Sequence, residues 1–183
     1  MHSAVVLLLL LGVCVAAPAE AQQPVPADSA QIPSPVASPA PDSPPPPVPP
    51  TPAQQRYLEG LRTAGRGIAQ IKDGLSRLAR TQTARDTLRT RLAGKRLGGL
   101  CGAARGFMVS GRAQMEPAAY EPPTRKPAWI LTVRLDSLSA YASTCQRSAG
   151  KTPTPVATEL LGRVRNYELA LANFRSAIGL QNR

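Results

Sequence analysis

The sequence predicts an all-α protein, an up-down-up-down four-helix bundle preceded by a signal peptide and a proline-rich disordered linker. Four segments place apolar residues at alternating intervals of four and three, which is the period of one face of an α-helix. Short turns follow the first and the third of these segments, so neighbouring helices are expected to run antiparallel. Two cysteines beyond the N-terminal region, Cys101 and Cys145, fall in the second and third segments.

Residues 1–21 have the layout of a secretory signal peptide. An apolar run at residues 4–17 precedes small residues at positions −3 and −1 of a cleavage site after Ala21. The run is shorter than the roughly 20 residues of a transmembrane helix. Because no Lys or Arg precedes it, an uncleaved membrane anchor is an alternative. Lipidation of Cys14 is another, although Val13 stands where a lipobox has a small residue. We therefore expect a secreted or periplasmic protein, with membrane attachment as the alternative.

Residues 22–52 form the predicted linker. They contain 13 prolines, no aromatic residue and only two charges, Asp28 and Asp42. This composition builds no core and favours extended polyproline II, which rises by about 3.1 Å per residue. We interpret the segment as a semi-rigid spacer; a disordered leader without a partner is the competing interpretation.

The helical domain is expected at residues 53–183, with its first helix at about residues 52–80. Thr51 and Gln54 form a capping box, and proline at position 52 suits the first helical turn. Glycines recur every seventh residue beside the apolar stripe, and each costs a helix up to about 1 kcal/mol relative to alanine. They indicate a close neighbouring helix, with exposed, merely tolerated glycines as the alternative. The glycines are Gly60, Gly67 and Gly74, and the stripe is Tyr57, Leu61, Ala64, Ile68, Ile71, Leu75 and Leu78.

The second helix is predicted at about residues 84–112, after a capping box of Thr83 and Asp86. Leu88 and Leu92 lie on one side of it, whereas a second apolar stripe begins roughly opposite. We therefore expect a kink or break at residues 94–99. Glycines at every fourth position indicate close packing within a bundle rather than membrane insertion, because cations flank them. The second stripe is Leu97, Cys101, Ala104 and Met108, and the glycines are Gly94, Gly98, Gly102 and Gly106.

Residues 115–126 are predicted to be a loop, and the third helix is placed at about residues 127–148, with Pro127 in its first position. Residues 128–135 also alternate in polarity, so a strand is the alternative; the helical period that continues to residue 145 favours a helix. The stripe is Leu131, Leu135, Leu138, Ala142 and Cys145.

The fourth helix is predicted at about residues 155–180, capped by Thr154 with Pro155 in its first position. Its apolar stripe is the most regular in the chain. The stripe is Leu160, Val164, Tyr167, Leu171, Phe174 and Ile178.

A disulfide between Cys101 and Cys145 is expected in an oxidising compartment, with free or differently paired thiols as the alternative. In an antiparallel pair of helices the two positions are offset by about six residues, or roughly 9 Å at 1.5 Å per residue. The intervening loop is long enough to absorb that offset. The bond would stabilise the fold by about 4 kcal/mol on the chain-entropy model.

The sequence predicts no catalytic, cofactor-binding or metal site. The only histidine, His2, lies in the predicted signal peptide, so the mature chain lacks the usual general base and metal ligand. It has no Cys-x-x-Cys motif and no glycine-rich phosphate loop, and its carboxylates are scattered. We expect a protein that is not an enzyme and binds no cofactor. A cryptic hydrolase is the third of three hypotheses.

The formal charge of +11 rises to +12 when Glu20 leaves with the signal peptide, and such a surface attracts anionic partners. Residues 77–112 contain nine cationic side chains and a single carboxylate, Asp86. Guanidinium groups match both phosphates and carboxylates. Our first hypothesis is therefore an exported, non-catalytic bundle that binds an anionic lipid, an anionic wall polymer or an acidic protein through this face. The candidate residues are Arg77, Arg80, Arg85, Arg89, Arg91, Lys95, Arg96, Arg105 and Arg112.

Two competing interpretations stay open. Nucleic acid is disfavoured as a partner because no aromatic side chains interleave the cations for stacking. A solvated charged face without a ligand is the plain alternative to binding. The second functional hypothesis is a carrier or inhibitor bundle with an internal apolar cavity, for which the content of glycine and alanine leaves room.

Overall fold

A computed structural model describes residues 49–179 of the chain. The predicted signal peptide with its cleavage site at Ala21, the alternative lipidation site Cys14 and residues 22–48 of the predicted linker lie outside the described residues. Within the described range the protein is all-α, with four long helices and no strand. The helices are α1 (Pro52–Thr83), α2 (Thr87–Arg112), α3 (Pro122–Ser148) and α4 (Pro153–Ala177), and a single 3-10 turn spans Pro117–Ala119.

The start of α1 confirms the predicted capping box. The backbone N–H of Gln54 donates to the Thr51 hydroxyl at 3.3 Å, and the Thr51 N–H donates to the Gln54 side chain at 2.9 Å. The second predicted box is wrong, because Thr83 is the last residue of α1. Asp86 alone caps α2, and its carboxylate accepts from the Arg89 N–H at 2.9 Å. Between the two helices Arg85 adopts a left-handed conformation (φ 53°), which reverses the chain.

The third and fourth helices begin earlier than predicted. Helix α3 starts at Pro122, so residues 122–126 are helical rather than loop, and Pro127 lies inside the helix. Prolines at the first two positions of α3 remove only N–H groups that have no helical acceptor, which makes this start favourable. Helix α4 starts at Pro153, and Thr154 is not its cap. Residues 128–135 are helical, which excludes the strand alternative.

Helix α2 runs without interruption through residues 94–99, so the predicted break is wrong. The apolar residues of α2 change from one side of the helix to the other for a different reason. Leu88 and Leu92 are 68% and 48% exposed and do not belong to the core. Gly94 and Gly98 instead bring α2 against the end of α3. A Cβ on Gly98 would lie 3.1 Å from the carbonyl oxygen of Gln146.

The four predicted stripes supply most of the core. Every residue of the α3 stripe and of the second α2 stripe is fully buried. Three aromatic rings close one end of the core, with centroids 5.2 to 5.3 Å apart: Tyr57 on α1, Tyr120 after the 3-10 turn and Phe174 on α4. The Tyr57 hydroxyl donates to the carbonyl oxygen of Ala128 at 2.9 Å, which ties α1 to α3. The single tryptophan, Trp129, is 58% exposed.

The heptad glycines of α1 confirm the predicted close neighbour. Gly60 faces Gly111 of α2, and a Cβ on either glycine would overlap the carbonyl oxygen of the other. A Cβ on Gly67 would lie 2.5 Å from the carbonyl oxygen of Ala104. Gly74 meets the side chain of Leu97. Helices α1 and α2 therefore approach backbone to backbone at Gly60 and Gly67, and through leucine side chains at Gly74. By contrast, the space around the predicted ridge residue Gly106 is open.

Cys101 of α2 and Cys145 of α3 are both fully buried and face each other. Their Cα atoms are 6.1 Å apart, and the sulfur atoms lie at disulfide distance. The pair joins the middle of α2 to the last turns of α3. It lies next to Gly98, where α2 packs against the backbone of the last turn of α3.

Candidate anion-binding surface

The tight turn at Arg85 determines which cations come together. Because α2 folds back directly along α1, the last turns of α1 lie beside the first turns of α2. A groove of about 500 Å³ runs between them, and arginines from both helices line it. The arginines are Arg77, Arg80, Arg89 and Arg96.

The groove combines these cations with apolar side chains. Leu92 and Leu100 of α2 contribute apolar surface, and the buried residues Leu97 and Gly74 lie beneath it. An anion that also carries an apolar portion therefore finds both chemistries in one place. A purely solvated charged face would not require the leucines to be there.

Two of the four groove arginines are neutralised by carboxylates. Arg77 pairs with Asp73 at 2.9 Å, and Arg89 pairs with Asp86 at 3.1 Å. In the described part of the chain Arg80 and Arg96 form no ion pair. Three further candidates close to the groove also lack an ion pair among residues 49–179. They are Arg85, Arg91 and Lys95.

We call these seven residues the cationic cluster: Arg77, Arg80, Arg85, Arg89, Arg91, Lys95 and Arg96. Leu88 and Leu92 lie in its centre and point outward, one helical turn apart. At about 100° per residue, Lys95 flanks the leucines on one side of α2 and Arg96 on the other. The arrangement is an apolar pair surrounded by cations on an exposed helix face. The sequence had placed these leucines on a helix face without indicating that they are exposed.

The structure separates the remaining two candidates from the cluster. Arg112 is half-buried, and its guanidinium pairs with Asp136 of α3 at 3.0 Å and donates to the carbonyl oxygen of Met115 at 3.2 Å. It therefore joins α2 to α3. Arg105 follows Arg96 by nine residues, which places it about 180° away around the helix.

The carboxylates of the described residues are dispersed, and most of them lie in ion pairs. No group of three or more histidine, cysteine or carboxylate side chains comes together between residues 49 and 179 to hold a metal ion. Five carboxylates are held in ion pairs with arginine or lysine. They are Asp73, Asp86, Asp136, Glu159 and Glu168.

Two further grooves, of about 430 and 400 Å³, lie at the surface between α1 and α4. The content of glycine had favoured a cavity inside the bundle. Gly60, Gly67 and Gly111 instead meet neighbouring backbone, so they bring helices together and leave no space. No sequence pattern indicates a groove between α1 and α4, because both helices have regular apolar stripes.

Comparison with known proteins gives no family for this chain: no family model, no curated protein and no solved structure matches it. Among the described residues, no helix is both long and apolar enough to span a membrane.

Proposed function

We propose that this protein is an exported, non-catalytic helical bundle that attaches to an anionic lipid surface through the cationic cluster. The observation that carries the proposal is the exposed pair Leu88 and Leu92 inside the ring of cations. A soluble polyanion or an acidic protein surface needs the charges but gains little from two outward leucines. A lipid interface uses both, since leucines enter the acyl boundary while guanidinium groups contact phosphates.

The unpaired state of Arg80 and Arg96 supports the same function. A guanidinium already held by a carboxylate gains less from a phosphate, because the first partner must be displaced. These two guanidinium groups lack an ion pair within residues 49–179, so their N–H donors are available to a phosphate head group. Each basic side chain at an anionic membrane surface contributes about 1 kcal/mol.

We also propose that the four helices alternate in direction, up-down-up-down. Contacts between successive helices support this arrangement, because positions that rise in number along one helix meet positions that fall along the next. For α1 and α2 the pairs are Gly60 with Gly111 and Gly74 with Leu97; for α3 and α4 they are Thr124 with Ala177 and Ser137 with Arg163.

Export through a signal peptide cleaved after Ala21 belongs to the same proposal, as does a spacer at residues 22–52. The apolar run followed by small residues supports the signal, and the 13 prolines support the spacer. A spacer of this kind would let the cationic cluster reach a surface at some distance from another attachment point. N-terminal sequencing of the exported protein tests the cleavage site directly.

Binding to vesicles tests the attachment. The exported chain, residues 22–183, is mixed with vesicles of equal parts phosphatidylglycerol and phosphatidylcholine, and with vesicles of phosphatidylcholine alone, from 50 to 500 mM NaCl. We expect binding to the anionic vesicles only, weakening as salt rises. Binding that is equal on both vesicles, or independent of salt, contradicts the proposal.

Two double variants identify the surface. Arg80→Gln with Arg96→Gln should weaken binding about thirtyfold, from about 1 kcal/mol for each cation. The matched control, Arg66→Gln with Arg147→Gln, removes the same charge from exposed sites outside the cluster and should change binding much less, because of screening.

Leucine replacement distinguishes a lipid from other polyanions. Leu88→Ser with Leu92→Ser should weaken vesicle binding by at least about tenfold, because apolar burial is lost. Binding to soluble polyglutamate should stay unchanged. Strong polyglutamate binding together with leucine-independent vesicle binding would assign the cluster to an acidic protein or wall polymer instead.

A further inference from the structure

Helices α1 and α4 enclose an apolar groove that an ion pair divides. The Lys72 ammonium and the Glu168 carboxylate meet at 2.6 Å, and both residues line the groove on each side. At one end Gln82 donates to the Thr154 hydroxyl at 2.9 Å. The division leaves two compartments of about 430 and 400 Å³. Both fall within the range of about 300–1,000 Å³ that is typical of small-molecule sites.

The larger compartment has apolar walls and a cationic edge. Arg62 and Arg175 line it, both are exposed, and neither forms an ion pair in the described part of the chain. The edge therefore carries positive charge without a counter-ion among residues 49–179. The apolar walls are made by Leu58, Leu61, Ile68, Leu171, Phe174 and Ile178.

Tyr167 forms part of the wall of this compartment. Its hydroxyl has almost no accessible surface and forms no hydrogen bond with any described residue, so it lies behind the wall rather than in the groove. The polar contacts open to an occupant are therefore the exposed guanidinium groups of Arg62 and Arg175.

We propose that this compartment binds a single-chain anionic amphiphile of the fatty-acid type. Its chain lies on the apolar walls, and its carboxylate accepts hydrogen bonds from the Arg175 guanidinium, with Arg62 adding charge. The site shares no residue with the cationic cluster. Binding of the amphiphile is therefore independent of the proposed attachment to a lipid surface, and either proposal can fail without the other.

The ion pair favours a chain over a helix as the occupant. A partner helix is about 10 Å wide with its side chains and would have to lie along the whole groove. It would then break the contact between Lys72 and Glu168, which joins the two walls. An aliphatic chain fits within one compartment and leaves the ion pair intact.

Calorimetric titration with dodecanoate below its micellar concentration tests the site in the exported chain, residues 22–183. We expect saturable binding of one dodecanoate per chain. Dodecyltrimethylammonium, which has the same chain and the opposite charge, should bind at least tenfold more weakly. Absence of saturable dodecanoate binding, or equal binding of the cation, would overturn the proposal.

A filling variant locates the binding. Gly65 lines the compartment, and a Cβ placed on it meets nothing within 4 Å, so Gly65→Leu adds bulk to the groove without a clash at Cβ. It should abolish dodecanoate binding while the melting temperature stays the same or rises. The control Gly106→Leu, at an equally open helical site on α2, should bind dodecanoate as the parent does. Binding that survives Gly65→Leu places the ligand elsewhere and overturns the assignment.

Removal of the cation tests the polar contact. Arg175→Gln should weaken dodecanoate binding about tenfold, because a hydrogen bond to a charged group is lost, and should leave the melting temperature close to that of the parent. Dodecan-1-ol binding should be affected much less. If Gly65→Leu instead blocks an acidic amphipathic peptide, or dissociates a dimer seen by sedimentation while dodecanoate does not bind, the groove is a protein-docking site and the proposal is wrong.

Discussion

Gly60 on α1 and Gly111 on α2 face each other so closely that a Cβ on either would overlap the carbonyl oxygen of the other. The contact is reciprocal, so neither position has room for a side chain. Alanine favours a helix over glycine by up to about 1 kcal/mol, and the contact therefore exists against local preference. Backbone packing between the two helices outweighs that preference at this point.

We expect Gly60→Ala to lower the free energy of unfolding by about 1–3 kcal/mol, because the helices must separate to admit the methyl group. The matched substitution Gly106→Ala, where space is open, should raise it by about 0.4–1 kcal/mol. Urea unfolding followed by circular dichroism measures both. A stabilising Gly60→Ala would show that the helices do not pack this closely in solution.

The buried pair Cys101 and Cys145 should contribute strongly to stability. Their separation of 44 residues corresponds to about 4 kcal/mol on the chain-entropy model. We expect the double variant Cys101→Ala with Cys145→Ala, and the parent protein treated with reductant, to lose most of that amount in urea unfolding. Reductant should have no effect on the double variant. Free thiols in the oxidised parent, measured by alkylation and mass spectrometry, would contradict the bond.

Salt should distinguish the charged contribution of the cationic cluster from the apolar one. Arg80→Gln with Arg96→Gln should flatten the dependence of vesicle binding on salt, since fewer counter-ions are exchanged. Leu88→Ser with Leu92→Ser should weaken binding at every salt concentration and leave the slope unchanged. The two slopes are obtained from one set of vesicle sedimentation measurements. Identical slopes for the two variants would mean that the cluster does not make the contact.

Alkaline pH should destabilise the fold through its buried tyrosines. Burial raises the pKa of Tyr167 to about 12, and burial together with Tyr120 and Tyr167 raises the pKa of Tyr57. The unfolded phenol releases its proton near about pH 10, whereas the folded one retains it. The stabilisation is therefore complete below about pH 10 and is lost as pH rises from there through the folded pKa.

We expect the free energy of unfolding to fall between pH 10 and 12, and to fall less steeply in Tyr167→Phe. Urea unfolding at a series of pH values measures the slope. At pH 8 the same variant should be close to the parent, because the lost hydroxyl has no hydrogen-bond partner among the described residues. An unchanged slope in Tyr167→Phe would show that this phenol ionises normally in the folded chain.

The apolar period was sufficient to predict the four helices and most of their buried faces. The stripe from Leu131 to Cys145 is fully buried, since a helix in a bundle of this size can bury one face only. Helix starts were harder. Pro122 and Pro127 both suit the first position of α3, and Pro153 and Pro155 both suit that of α4. Each helix begins at the earlier proline, and local preference alone does not select it.

The candidate surface was predictable in composition and not in geometry. The run of arginines is visible in the sequence, but whether a cation such as Arg112 pairs with Asp136 depends on how α2 and α3 pack. The groove that Tyr167 lines could not be predicted from the sequence for a similar reason. Its walls belong to the first and last helices, and their separation is set by packing that no local pattern records.

The placement of the aromatic residues has an optical consequence. Because Trp129 lies at the surface, its fluorescence reports on the start of α3 and changes little when the core loses its packing. The clustered rings of Tyr57, Tyr120 and Phe174 sit in a rigid asymmetric environment and give a near-ultraviolet dichroism signal instead. A sample whose emission spectrum is unchanged can therefore already have lost its packed interior.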